Sequence, residues 1–97
     1  MGKVKVNTLS NSKMNKICKE APNCDKCPLT RYSKDGRRIL CYRRCRALYY
    51  MNKHYYEELF KQDLTKTDRE YHEAIWEQEQ LDQQKLESEE IELNADI

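Results

Sequence analysis

The stretch CDKCPLTRYSKDGRRILCYRRC, residues 24–45, decides how the rest of the chain is read. It opens on Cys24 and Cys27, two residues apart in between, and closes on Cys41 and Cys45, three residues apart in between. Two close cysteine pairs separated by about a hairpin's length are the pattern of a four-thiolate zinc site. Four thiolates fill the tetrahedral shell of Zn²⁺ and leave no position for water or substrate. The spacing therefore predicts one structural zinc per chain, held by Cys24, Cys27, Cys41 and Cys45, with no chemistry at the metal.

Between the pairs, Leu29 to Lys34 and Arg37 to Tyr42 flank Asp35-Gly36. That dipeptide suits a type I′ turn, in which both central residues take positive φ, and it predicts a β-hairpin. From Tyr42 onward the apolar period becomes helical. Cys45, Leu48, Tyr49, Asn52, Tyr55, Tyr56, Leu59 and Phe60 share one face, which predicts a helix to about Gln62. Thr67-Asp68-Arg69-Glu70 reads as a capping box opening a second helix, with Tyr71, Ala74, Ile75 and Trp76 as the patch that packs on the first. Beyond Gln78 the apolar residues thin to Leu81, Leu86, Ile91 and Leu93, so about the last fifteen residues are expected to be solvated helix fraying into disorder.

Upstream, residues 1–17 are rich in Lys, Asn and Ser without sustained periodicity and read as a flexible basic arm. The chain thus divides into an arm (1–17), a zinc-binding domain (18–62) and an acidic helix with a disordered tail (63–97). The fold class is a small α+β, zinc-stabilised domain. Composition explains the need for metal: in 97 residues, 38% are hydrophobic and 36% charged, and Tyr supplies seven of the nine aromatics. A large dry core is out of reach. A structural zinc site contributes on the order of 10 kcal/mol, comparable to the stability of a whole domain, so the metal-free chain is expected to unfold around its cysteines.

Knuckle, hairpin and a helix whose first turn carries the second cysteine pair resemble, over residues 22–62, a treble-clef zinc finger. The layout is similar to GATA-type and nuclear-receptor-type fingers, and the thirteen-residue interval between pairs is similar to the latter. The second pair is C-x₃-C where those families use C-x₂-C, and their base-reading sequences are not present. The resemblance implies a fold group that serves DNA binding, protein binding and pure structure, so function has to be argued from the surface.

Other uses of the cysteines stay open. Five is an odd number and two close pairs suit metal better than a disulfide framework. Cys18 is either a spare thiol at the edge of the knuckle or a replacement for one of the four. With Cys24 and Cys27-Pro28 it also forms a C-x₅-C-x₂-C-P run of the kind that ligates iron–sulfur clusters.

A net charge of +1 conceals a division: residues 1–56 hold 14 Lys/Arg against 3 Asp/Glu, and residues 57–97 hold 4 against 14. The basic residues concentrate on the hairpin and the helix start, at Arg31, Lys34, Arg37, Arg38, Arg43, Arg44 and Arg46, with Lys53 two turns along. On a helix, Arg43, Arg46, Tyr50 and Lys53 or His54 fall opposite the Leu48/Tyr49/Tyr56 stripe, which leaves a basic face able to grip phosphates or lie in the major groove of duplex DNA. Arginines beside a zinc knuckle can merely balance the charge of four thiolates, but these are more than that requires. Tyr42, Tyr49, Tyr50, Tyr55 and Tyr56 could stack on unpaired bases; at helical spacing, Tyr49 and Tyr56 suit the core better.

His54 and His72 lack nucleophile or carboxylate partners, and two glycines make no phosphate loop, so no enzyme is read here. No signal peptide, apolar span or myristoylation pattern is present (Val6 stands where Ser or Thr is required), which predicts an intracellular protein without a membrane anchor. Two functions follow: a zinc-dependent nucleic-acid-binding regulator of transcription whose acidic segment modulates binding or contacts a partner, or a protein-interaction module that docks on a larger machine such as RNA polymerase. In the second, Ile91, Leu93 and Ile97 would anchor an acidic-hydrophobic terminus.

Overall fold

The computed structural model describes residues 2–93 and has α+β architecture: three helices and two separate two-stranded antiparallel sheets. Strand β1 (Gly2–Lys5) leads through a 3₁₀ turn at Val6–Thr8 into α1 (Asn11–Glu20). A second 3₁₀ turn, Cys24–Lys26, precedes the hairpin of β2 (Arg31–Tyr32) and β3 (Arg38–Ile39). Helices α2 (Tyr42–Phe60) and α3 (Lys66–Glu87) pack against each other, and β4 (Glu90–Leu93) returns to pair with β1.

Residues 2–17 are therefore not a flexible arm, and residues 79–93 are not a fraying tail. Lys3-Val4-Lys5-Val6 and Glu90-Ile91-Glu92-Leu93 both alternate with period two, the signature of a half-buried strand. In register, Val4 faces Ile91 while Lys3 meets Glu92 and Lys5 meets Glu90, so opposite charges oppose on the wet face. The main core gathers on this closure: Val6, Leu9, Met14, Ile17, Leu29, Tyr42, Ile91 and Leu93 are buried, with Val4, Cys27, Cys41 and Leu86 packed against them. Ile91 and Leu93 are thus not free anchors for a partner; Ile97 lies outside the described residues.

Local chemistry sets the boundaries. The Ser10 hydroxyl accepts from the Lys13 N–H at 3.1 Å and starts α1, which buries Met14 and Ile17. Ala21 is forced into extended backbone by Pro22 and ends it. The hairpin closes on a three-residue loop rather than a type I′ turn: the Ser33 N–H donates to Arg37 O at 2.8 Å, and Gly36 alone has positive φ, at 84°. Asp35 keeps negative φ, which spares a side-chain residue the left-handed region. Helix α3 starts two residues earlier than a Thr67 cap would set it, because the Thr65 hydroxyl, not that of Thr67, accepts from the Asp68 N–H at 3.2 Å.

Along α2 and α3 the contact is aromatic. Trp76 stacks on Tyr49 (5.3 Å between centroids) and Tyr56 (5.0 Å), and Tyr56 stacks on Phe60 (5.8 Å), which confirms Tyr49 and Tyr56 as packing residues. Arg69 ties the far end by donating to the Phe60 and Gln62 carbonyls at 3.2 and 3.3 Å. The described chain has extents of 52 × 30 × 21 Å. Ile75 joins Trp76 on the half-buried face, whereas Tyr71 and Ala74 are exposed.

Candidate metal centre and basic surface

All five cysteines are free thiols, and Cys24 alone is fully exposed, while Cys18, Cys27, Cys41 and Cys45 are half-buried. Asn23 caps the knuckle turn by accepting from the Lys26 N–H at 3.1 Å, and the Cys27 N–H donates to Cys24 O at 3.2 Å, so the backbone bends between the first pair. The Thr30 N–H then donates to Cys27 O, placing Pro28 inside a β-turn where its fixed φ is suited. Cys41 caps α2, its Sγ accepting from the Arg44 N–H at 3.5 Å. A bond from the Tyr42 N–H to Leu29 O at 3.0 Å holds that cap against the segment following the knuckle.

Burial pushes the Cys27 thiol pKa up; the Leu29 N–H pulls it partly back, and the nearby charges of Cys18, Cys41 and Cys24 push it up again. Cys45 belongs to a different environment. Its Sγ accepts from Arg31 at 3.4 Å and donates to Leu40 O at 3.7 Å, facing a groove between α2 and α3 that Leu48, Glu79 and Asp82 also line. Among the described residues, no group of three or more His, Cys, Asp or Glu side chains is gathered closely enough to hold a metal ion as the side chains stand. The thiols of Cys24 and Cys27 flank a capped 3₁₀ turn and that of Cys41 caps α2, without converging on a metal-sized site as the side chains stand.

The predicted basic residues separate into two groups. Lys34, Arg37, Arg38, Arg44 and Lys53 face solvent, with Arg37 paired to Asp35 at 3.4 Å and Arg38 to Asp25 at 3.5 Å, all four partners well exposed. Arg31, Arg43 and Arg46 are engaged inside the molecule. Arg31 lies over the Tyr42 ring (5.5 Å) and donates to Leu40 O at 3.2 Å, fastening the hairpin to α2. Arg43 donates to Asn15 at 3.4 Å and links α2 to α1.

Arg46 corrects the sequence reading most strongly, because it is 8% exposed rather than solvent-facing. Its Nε and Nη2 clamp the Glu87 carboxylate at 2.9 and 2.7 Å, Nη2 also reaches Val6 O at 2.9 Å, and Nη1 reaches Leu9 O at 2.6 Å and Asn11 at 3.2 Å. The five N–H groups of the guanidinium thus have five acceptors. The expected helix face is rotated as a result: Tyr42, Arg46 and Tyr56 are buried, while Leu48, Met51 and Tyr55 face solvent. Helix α2 is covered from two sides, by the N-terminal segment near its start and by α3 along its length, which a single-stripe reading does not anticipate.

Sequence reasoning placed Lys13 and Lys16 on a loose arm; they project, with Lys19, from the exposed side of α1. Lys19 lies one turn beyond Asn15 and so shares the face that Arg43 touches. The signal for that helix was present in the Ser10 cap and the Met14/Ile17 pair. Among the described residues no helix is long and apolar enough to cross a membrane. No known family model, curated protein or solved structure matches the chain.

Proposed function

We propose that this chain is a zinc-dependent nucleic-acid-binding protein that regulates transcription, with duplex DNA as its ligand. The observation that carries this reading is the set of solvent-facing cations close in sequence to the cysteines, Lys34, Arg37 and Arg38 on the hairpin and Arg44 in the first turn of α2, with Lys53 farther along α2 and further exposed lysines on α1. The hairpin pairs of Arg37 and Arg38 are exposed, so their carboxylate partners can be exchanged for phosphates at little cost. Each phosphate neutralised releases counterions, which makes the affinity fall steeply with salt. Zinc would hold the knuckle against α2 and so fix the hairpin cations relative to those of the helix.

The test is fluorescence anisotropy of the full chain on random duplex and single-stranded DNA across a salt series. Replacing Lys34, Arg37, Arg38 and Arg44 together with Ala is expected to abolish most duplex binding and flatten the salt slope while the thermal midpoint stays in place. Equal affinity for that variant and the parent overturns the reading. Chelation is expected to reduce both the folded hairpin signal and DNA affinity.

A second reading, a protein-interaction module, is favoured by Leu48, Met51 and Tyr55, which lie exposed along one side of α2. It takes precedence if the chain ignores DNA at low salt.

A further inference from the structure

Helix α2 carries two apolar faces where a surface helix ordinarily carries one. The first is spent inside the chain: Tyr42, Arg46 and Tyr56 are buried, and Tyr49 and Tyr56 stack on Trp76 of α3. The second runs along nearly the opposite side. Leu48, Met51 and Tyr55, spaced three and four apart, follow one another on a single stripe and are 43%, 66% and 57% exposed. Single exposed apolar residues are ordinary on a protein surface, but three in succession on one stripe make a contiguous patch, the mark of an interaction site. One turn before it on the same stripe stands the exposed Arg44, and one turn after it the exposed Glu58.

The order cation, three apolar residues, anion selects the occupant. Two copies of the stripe laid antiparallel about a two-fold axis near Met51 bring Met51 against its own copy, Leu48 against the second copy's Tyr55, and each Arg44 to the second copy's Glu58. Apolar side chains then meet apolar side chains, and opposite charges meet at both ends. A parallel pair would set Arg44 on Arg44 and Glu58 on Glu58. The ion pair of Glu58 with Lys61, at 3.1 Å, is exposed on both sides, so Glu58 exchanges Lys61 for Arg44 at little cost. We propose that α2 is the interface of a two-fold homodimer, the Leu48/Met51/Tyr55 stripe being covered by a second copy of this chain in antiparallel orientation. The pairing rests on the exposed stripe named above as an interaction surface and gives it one occupant; it draws on neither zinc nor DNA.

Sedimentation of the full chain across a concentration series is the test. The unsubstituted chain is expected to run at twice its mass of 11.7 kDa. Met51→Glu, which sets two carboxylates together at the axis, is expected to run at the single-chain mass with its helical circular dichroism intact, because Met51 faces solvent in the single chain. Arg44→Glu and Glu58→Arg, each alone, put like charges together at both ends and are expected to weaken the dimer several-fold, whereas the two variants mixed, or both changes in one chain, restore it. Such a rescue belongs to the contact between copies and not to the fold of either. A single-chain mass for the unsubstituted protein at every concentration overturns the pairing and leaves the stripe to a different protein. A dimer that survives Met51→Glu, or charge reversals that no combination rescues, overturns it as well. Duplex DNA binding is scored on the same samples: a single chain that binds leaves the nucleic-acid reading standing, and a dimer that ignores DNA overturns that reading and not this one.

Discussion

Arg46 joins three parts of the chain that are far apart in sequence: the Val6 and Leu9 carbonyls, Asn11 at the start of α1, and Glu87 at the end of α3. Removing a partner from a buried ion pair leaves the other charge uncompensated and costs about 3–5 kcal/mol. Arg46→Met is therefore expected to lower the thermal midpoint severely, whereas Arg44→Ala, an exposed neighbour, should stay within about 0.5 kcal/mol of the parent. Loss of DNA binding in Arg46→Met would then report unfolding, and Arg44 and Lys53 are the informative contact positions. Glu87 carries a pH signature: burial opposes its ionisation, but hydrogen bonds from Arg46 and Gln83 outweigh this and hold its pKa below the ordinary 4.5. A lowered folded-state value means that the unfolded chain binds the proton more readily in this window. The contribution is accordingly full above about 4.5 and disappears as pH falls through the folded value; thermal melts at stepped acid pH should show this slope in the parent and a flattened one in Glu87→Gln.

At the scale of elements, β1 and β4 define what the sequence discloses and what it conceals. Residues 29–42 announced the hairpin, and residues 42–76 both central helices, since turn chemistry and period persist long enough there to be recognised. Strands of four residues, such as Gly2-Lys3-Val4-Lys5, offer two alternations at most, which a polar, lysine-rich context easily masks; their meaning lies in the opposite charges of a partner some ninety residues away. Arg46 was misplaced because helical phase alone cannot show that two neighbours cover α2. Ile91→Ala is expected to cost about 2–5 kcal/mol, the range for a buried aliphatic truncated to Ala, where a disordered tail would show no change in a denaturant melt. Lys3→Glu, placing like charges opposite Glu92, should cost about 0.2–1 kcal/mol.

Across the whole molecule, the charge division is a property of a single packed body, because the acidic α3 lies along α2 rather than trailing behind it. Removal of α3 would take Glu87 from Arg46 and the β4 side chains from the core, so truncation near residue 66 is a test of folding and not of charge. Replacing the exposed Glu73 and Glu77 with Gln separates the two effects. Random duplex DNA should then bind more tightly, with a gain that is largest in dilute salt, where the Debye length is about 30 Å, and nearly gone at 0.15 M, where it is about 8 Å. Anisotropy at both salt levels checks this. The pairing of β1 with β4 also fixes an order of events during synthesis. Val6, Leu9, Met14 and Ile17 leave the ribosome more than seventy residues ahead of Ile91 and Leu93, which cover them, so this core closes only after the intervening helices have emerged. Until then the nascent segment exposes its apolar side chains to whatever lies near the exit port, and contacts this distant in sequence are slow to form. A dye pair at Lys3 and Glu92, directly opposite in the finished sheet, would time the closure.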